Sequence, residues 1–532
     1  MNLDLIEGNK VKLQPIQEEL PSDYANRLGE FYASNSTSGE KKVKGQFFTP
    51  LSIARYMSSL FEINKNEVSI LDPGCGLGVL SICLVESIIE RNSDLRTIHI
   101  EAYEIDSELI VFSQLTFDYL KVWLESRGVS MNYIIHVADF VLDKIEVTDE
   151  SNLYSLSFNK YDFIISNPPY FKLSKDDKRA IVAKKVTNGH SNIYSIFMAI
   201  SSSLLKSNGQ MIFITPRSFS SGNYFQVFRN YFFNKIDIVQ AHLFGSRKET
   251  FSRDNVLQET VILKCKPKKN NPKRDSVLIT SSSGTSDLNN VDKIELPVEL
   301  VIEYDSLDKI LFLPTNQEER KIIELFRSWK GTLNQYNIQI STGRVVAYRS
   351  KDYIKENNNL KNTNLAPLYW LHNVSQMDLN WPIDKPGKGQ YISIENKSMS
   401  ILVENKNYLL LRRFSSKDDK SRLIATPYFC NDDFSHIGIE NKLNYIYRPD
   451  GDLEEFEILG LGALLNSYVF DQFFRMLNGN VNVSATELRF IPLPPHKIIK
   501  EIGNELFLSN SFCNLDLINK IVNEKLKPEL VS

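Results

Sequence analysis

A recurring pattern of apolar runs cut off by polar loops organises the first half of the chain. Val68 to Leu71 ends at Asp72-Pro73-Gly74-Cys75-Gly76-Leu77-Gly78, and an apolar stretch with helical spacing continues through Ile89. Ile98 to Ile105 ends in Glu104-Ile105-Asp106, Tyr133 to Val137 in Ala138-Asp139-Phe140, and Tyr161 to Ile165 in Asn167-Pro168-Pro169-Tyr170. Short continuous apolar runs bounded by turn residues read as buried strands. A strand opening through glycines into a helix is the nucleotide-site arrangement of α/β sheets, where backbone approaches a ligand closely. The pattern predicts an α/β, Rossmann-like domain with polar groups gathered at strand ends.

The pattern changes after the strand Glu259 to Cys265. Lys266-Pro267-Lys268-Lys269-Asn270-Asn271-Pro272-Lys273-Arg274 is charged and turn-forming, and Ser281 to Ser286 is small and polar. This places one domain over 1–300 and a second over 301–532. The second mixes strand-like runs such as Tyr408 to Leu411 with a helix over Leu459 to Met476, and reads as a mixed α/β binding domain. A chain of 532 residues exceeds one ordinary core. No apolar run approaches the roughly 18 residues of a membrane span, and the first residues lack the segments of a signal peptide. Five cysteines without metal-ligand spacing suit a reducing cytoplasm and point to no metal. The net charge of −3 argues mildly against a nucleic-acid partner, but distribution matters more than the sum. Basic clusters occur at Lys41-Lys42-Lys44, Lys172 to Lys185, Lys264 to Arg274, and Arg412-Arg413 with Lys417, Lys420 and Arg422.

The loop chemistry narrows the ligand. The glycine loop is Asp-Pro-Gly-x-Gly-x-Gly, and no Gly-Lys-Ser/Thr follows, which excludes a Walker-type phosphate loop. A carboxylate at the end of the first strand, Asp72, suits a ligand with a cationic amino group better than a pyrophosphate. Glu104 is placed to accept from ribose hydroxyls, Asp139 from an adenine amino group, and Phe140 to pack on the ring. Each carboxylate alone reads first as a solvated strand-end group; three at consecutive strand ends beside Gly74, Gly76 and Gly78 favour a nucleoside. In Asn167-Pro168-Pro169-Tyr170 the prolines remove two amide donors, so that stretch of backbone can only accept. Asn167 adds a side-chain amide and Tyr170 a stacking face. Acceptors beside an aromatic plate suit a planar substrate with an exocyclic amine.

Gly45-Gln46-Phe47-Phe48-Thr49-Pro50, the glycine loop and Asn-Pro-Pro-Tyr, in that order, resemble the gamma-class N6-adenine DNA methyltransferases of restriction–modification systems. Asn478 to Arg489, followed by Ile491-Pro492-Leu493-Pro494, is similar to the end of their target-recognition region, and the TaqI-like and PstI/BsuBI-like branches are the nearest in appearance. The resemblance covers nearly the whole chain, strongly over 40–265 and patchily beyond about 310. It implies a Rossmann-like S-adenosylmethionine-dependent catalytic domain followed by a mixed α/β target-recognition domain. Double-stranded DNA would be the partner, and a restriction endonuclease would be paired in function without a stable complex. It implies that Thr49 bonds the cofactor's carboxylate, although an N-cap role before Pro50 is equally open. Asn167 and Pro168 would accept from the amine of an adenine rotated out of the stack, with Pro169 completing the loop and Tyr170 stacking on one face. Phe251 matches the position for the other face, with Phe244 a rival. Lys172, Lys175, Lys178 and Arg179 would touch phosphates. Cys75 reads as a small packed residue. Two alternatives remain: a protein or RNA methyltransferase with the same pocket, and a fused nuclease, for which Asp384 with Glu395-Asn396-Lys397 has carboxylate-and-lysine spacing.

Overall fold

The computed structural model describes residues 13–35, 48–149, 151, 158–189, 192–245, 259–268, 276–304, 306–356, 364–415, 419–477 and 482–530. The chain forms two compact units, Met1–Thr315 and Asn316–Ser532. The division falls at 315/316 and not near residue 300, for a physical reason. The strands after the charged turn extend the first unit's sheet, and the following segment returns to its core through Ile302, paired with Leu311, whose amide donates to the Ser220 carbonyl at 2.8 Å.

In the first unit the strands are β1 (Glu67–Pro73), β2 (Thr97–Glu104), β3 (Ser130–Val137), β4 (Tyr161–Ser166), β5 (Leu205–Pro216), β6 (Ile236–Phe244), β7 (Thr260–Pro267), β8 (Ser276–Ser282) and β9 (Asp292–Pro297). The helices used below are α1 (Pro21–Asn35), α2 (Leu51–Ser59), α3 (Val79–Arg91), α4 (Ser107–Glu125), α5 (Phe140–Lys144), α6 (Lys178–Val182), α7 (Ile193–Ser203) and α8 (Gln226–Lys235). One nine-stranded sheet runs β3-β2-β1-β4-β5-β7-β6-β8-β9. The first five are parallel, and β7 lies antiparallel between β5 and β6. Chain order reverses between β1 and β4, which opens a crevice beyond the carboxyl ends of the parallel strands. Pairings Pro73–Tyr103, Glu104–Val137 and Leu71–Ile164 align the ends of β1 to β4 along one edge.

Every residue of β4 is buried, as expected for a strand covered on both faces. One face packs Ile53, Met57, Ile82 and Val85, from α2 and α3, on Ile70, Ile98 and Ile165. The other packs Ile196, Ile200, Phe228 and Phe232, from α7 and α8, on Ile164, Phe213 and Leu263. Among the described residues no helix is long and apolar enough to cross a membrane.

The second unit carries strands β10 (Gln339–Thr342), β11 (Ile354–Lys355), β12 (Leu365–Tyr369), β13 (Val374–Ser375), β14 (Asp378–Leu379), β15 (Tyr391–Ser393), β16 (Leu402–Glu404), β17 (Tyr408–Arg412), β18 (Ala425–Tyr428), β19 (His436–Ile439) and β20 (Leu443–Tyr447). They form sheets ordered β10-β20-β17-β18 and β11-β15-β12-β19-β16, with β13–β14 a separate pair. The helices are α9 (Gln317–Ser328), α10 (Glu455–Asn466), α11 (Tyr468–Leu477), α12 (Ala485–Arg489), α13 (His496–Ser509) and α14 (Leu515–Leu530). The single helix expected over Leu459 to Met476 is two helices. Ser467 between them is extended at ψ 155. The Asn466 amide holds the break by donating to the Ala425 carbonyl at 2.8 Å and accepting from its amide at 3.1 Å.

Candidate active site

The ends of β1 to β4 surround a cavity of about 570 Å³, whose walls include Gly74, Gly76, Glu104, Asp139, Phe140, Asn167, Pro168 and Pro169. The glycine loop is fixed from beneath by backbone and hydroxyl contacts. Gly74 and Cys75 amides donate to the Tyr103 carbonyl at 2.9 and 2.8 Å, and the Thr116 hydroxyl donates to the Leu77 carbonyl at 2.8 Å. Gly78, the N-cap of α3, has φ 80, and a Cβ there would fall 2.8 Å from the Phe117 ring. That position requires glycine on both counts.

The three acidic residues meet different fates. Glu104 is buried and lines the cavity; its oxygens accept from the amides of Asp106 at 2.8 Å and Gly76 at 3.0 Å. Burial raises its pKa above the usual carboxylate range, against those amides. The Ile105 amide also bears on the carboxylate, and at least one lone pair remains for a ligand's hydroxyl. Asp139 caps α5, accepting from Val141 and Leu142 amides at 2.9 and 3.1 Å through Oδ1, while Oδ2 lies 3.6 Å from the Arg179 guanidinium. Phe140 packs edge-on to Tyr103 at 5.2 Å and tilted against Phe197 at 5.0 Å between ring centroids. Asp72 is fully buried beneath the loop and is not part of the cavity wall. It is bonded to the Ser81 hydroxyl through Oδ2, and its Oδ1 has no hydrogen-bond partner among the described residues. Burial is the main cause that pushes its pKa up to about 7.

At the end of β4 the Ser166 hydroxyl donates to the Pro73 carbonyl at 2.7 Å, tying the two loops together. Asn167 Nδ2 donates to the Thr49 hydroxyl at 3.0 Å. Thr49 does not cap α2, whose N-cap is Pro50 without a side-chain hydrogen bond; it joins the upstream motif to the Asn-Pro-Pro-Tyr loop instead. Asn167 Oδ1 accepts from the Tyr170 hydroxyl at 2.5 Å, and that hydroxyl also lies 2.8 Å from the Ile214 carbonyl.

Residues 100–251, which include that loop, match the Eco57I restriction-modification methylase family. The chain is 31% identical over 500 residues to the type II methyltransferase M.PstI of Providencia stuartii, covering 93% of this chain and 96% of that one. It is 32% identical over 469 residues to the type II methyltransferase M.BsuBI of Bacillus subtilis, covering 87% and 90%. The chain belongs to the type II restriction–modification methyltransferases, in the PstI–BsuBI branch. It is a DNA-methylating enzyme of a restriction–modification system.

The methyltransferase departs from the sequence expectations on the target side. Tyr170 is half-buried against the α7 layer, edge-on to Tyr194 at 6.4 Å, and does not line the cavity. Phe244 is buried in the opposite layer, edge-on to His242 at 4.7 Å, where it cannot stack on a base. Phe251 lies outside the described residues. Arg179 was expected at phosphates, yet its guanidinium turns into the cavity wall, bonded to Asp177 at 2.6 Å and over the Phe171 ring at 5.4 Å. Lys175 and Lys178 are exposed, while Lys172 lies over Tyr224 at 4.9 Å. Burial raises the pKa of the Cys75 thiol well above its usual value, so it is no thiolate nucleophile.

Phe48, Ile105, Phe171 and Phe197 also line the cavity and were not assigned to it from sequence. Ile105 carried a usable signal, an aliphatic residue directly after the strand-end carboxylate, and in the structure it is 64% exposed. Phe48 touches the site through its place in the upstream motif. Phe171, Arg179 and Phe197 converge from segments whose spacing gives no sign of it.

Proposed function

We propose that this methyltransferase transfers a methyl group from S-adenosylmethionine to the N6 amine of an adenine extruded from duplex DNA. The modification would protect cytoplasmic DNA from a partner endonuclease. The observation that carries the reading is that Asn167, Pro168 and Pro169 form a wall of the same cavity as Glu104, Asp139 and Phe140.

The residues fit the cofactor. Glu104 retains acceptor capacity for ribose hydroxyls, and Asp139, which lines the same cavity, would accept from an adenine amine. Asp72 lies outside the cavity wall and braces the loop from beneath through Ser81, so the expected contact with the ligand's amino group is not one it can make. When bound, S-adenosylmethionine supplies an electrophilic sulfonium methyl. The chain's own task is to make the target amine nucleophilic. Its lone pair is delocalised into the ring. Accepting its two hydrogens at Asn167 Oδ1 and the Pro168 carbonyl favours a tetrahedral nitrogen with the lone pair aimed across the cavity. Thr49 holds the Asn167 amide by its nitrogen end, which fixes the oxygen as the acceptor presented to the base.

The second unit would read the DNA sequence, leaving chemistry to the first. Nucleoside mass spectrometry of DNA methylated by the purified enzyme tests the reading. N6-methyladenine is expected; methylcytosine alone, or label only in protein or RNA, would overturn it.

A further inference from the structure

The four-stranded sheet of the second unit is polarised along its strands. At one end three turns converge on Asn441-Lys442, between β19 and β20. The Asn441 amide donates to the Val345 carbonyl at 2.9 Å, and the Gly343 amide donates to the Leu443 carbonyl at 2.8 Å. The Arg413 guanidinium donates to the Asn441 carbonyl at 3.1 Å. The Arg413 amide donates to the Lys442 carbonyl, and the Val483 amide to the Arg413 carbonyl, at 2.9 and 2.8 Å. A Cβ at Gly343 would fall 2.1 Å from the Glu440 carbonyl oxygen, so the first turn can close on the second only with glycine there.

This end carries Arg344, Arg349, Arg413 and Lys442, none of which has a carboxylate within salt-bridge distance among the described residues. Two aromatic side chains stand out beside them, Tyr348 at 67% and Phe414 at 42% exposure. Arg349 lies 5.3 Å from the Tyr348 ring centre, and Arg413 5.8 Å from that of Phe414. Glu440, the residue before that turn, is buried and accepts from the Leu371 amide at 3.1 Å, so it does not face out, while the exposed Asp419 interacts with Arg412. The opposite end is the reverse. Around the start of β17, Asn405 bonds the Asn431 and Phe434 carbonyls, and Asn407 accepts from Cys430 and is held by Asp452. Exposed Asp432, Asp433, Asp450 and Asp452 gather there.

We infer that the basic and aromatic end, built from Arg344, Tyr348, Arg349, Arg413, Phe414 and Lys442, is the face on which the second unit receives duplex DNA. This rests on the reading of that unit as the target-recognition domain. Charge complementarity commits the face to a polyanion. Exposed arginines beside aromatics suit base edges as well as phosphates, since arginine pairs bidentately with guanine. The acidic end repels the backbone and so fixes which way the sheet meets the duplex. It also reconciles a net charge of −3 with DNA binding.

The test uses the full-length protein and a short mixed-sequence duplex, followed by fluorescence anisotropy across a salt series. Arg344→Ala with Lys442→Ala should lower the log–log salt slope by about two, one per lost phosphate contact. Thermal unfolding and S-adenosylhomocysteine affinity should stay as in the parent. Asp432→Asn with Asp433→Asn, at the other end, should leave the slope unchanged or raise affinity slightly. An unchanged slope in the basic variant, or an equal fall in both, overturns the proposal. Because anisotropy does not require methyl transfer, failure of the adenine reading would show separately, as absence of N6-methyladenine from the parent's product.

Discussion

At the ends of β2 and β3, Glu104 and Asp139 satisfy backbone amides and still present acceptor capacity to the cavity. At the end of β4, Asn167 and Tyr170 satisfy each other. On the proposed reading, the cofactor side is ready for its ligand with little rearrangement, while the target side must exchange partners before a base can be held. Both sides hang on the same sheet edge, so the difference lies in side-chain chemistry and not in scaffold rigidity. A carboxylate has enough lone pairs to serve two masters; an amide oxygen already bonded to a phenol must give something up. On the proposed mechanism that asymmetry would suit a cofactor that enters unaided and a base that arrives only after DNA is opened.

The largest expected effect breaks the target side alone. Asn167→Ala should lower kcat about 10²- to 10³-fold, the cost of removing one transition-state hydrogen-bonding group elsewhere. Cofactor affinity by calorimetry should remain near the parent's value. A variant methylating DNA at close to the parental rate would show that the amine is not held by Asn167.

Asp72 sharpens the comparison from beneath the cofactor side. Its pKa is raised to about 7, chiefly by burial, so its protonated form is the one that favours folding. That contribution is full below the ordinary carboxylate pKa and is lost as pH rises through about 7. Asp72→Asn keeps the Ser81 contact without the charge. It should flatten the fall in stability of the ligand-free protein between about pH 4 and 7, by on the order of 2–4 kcal/mol at the alkaline end. Chemical denaturation at several pH values reads this directly. An identical slope in both proteins would mean that the carboxylate is ionised in the fold and already compensated.

Glu104→Ala should weaken cofactor binding by roughly 1–3 kcal/mol, the range for losing a buried hydrogen-bonding partner. Because Glu104 also holds the Gly76 amide, Glu104→Gln is the companion variant. It keeps an acceptor for one amide while changing what faces the ribose. Unchanged affinity in both would move the ribose elsewhere.

These placements show where sequence was informative. The parallel strands, the glycine loop and the edge that gathers Glu104, Asp139 and Asn167 were legible, because buried strands write continuous apolar runs and their ends must be polar. Asp72 was legible as a strand-end acid but not in depth, since nothing in spacing says that Ser81, nine residues on in the first turn of α3, would take its Oδ2. Arg179 was misplaced because a basic run reads as solvated charge until Asp177 and Asp139 are seen around it. The sheet's extension by β8 and β9 was hidden by the charged turn before them. The basic end of the second unit depends on turns brought together from residues near 344, 413 and 442. Only tertiary pairing could reveal it.

The smallest effect decides what the Tyr170 hydroxyl does. A phenol has one proton, so it cannot donate fully to both Asn167 Oδ1 and the Ile214 carbonyl, 2.5 and 2.8 Å away. If an incoming adenine amine takes Asn167 Oδ1, the hydroxyl can turn wholly to Ile214, and the exchange costs little. Tyr170→Phe removes the competitor but leaves the Ile214 carbonyl without that donor, a loss of about 1 kcal/mol or less in net terms. It should therefore change kcat/KM by less than about fivefold, in either direction. Tyr170→Ala should lower kcat/KM further, because it also removes the ring that packs edge-on to Tyr194 behind the Asn-Pro-Pro loop, and a duplex with the target adenine mispaired should recover little of that loss, since the ring does not line the cavity. Single-turnover methyl transfer with 2-aminopurine beside the target separates the two. If Tyr170→Phe falls as far as Tyr170→Ala, the hydroxyl is needed in the reaction itself, and the target side is not merely waiting with its acceptor covered.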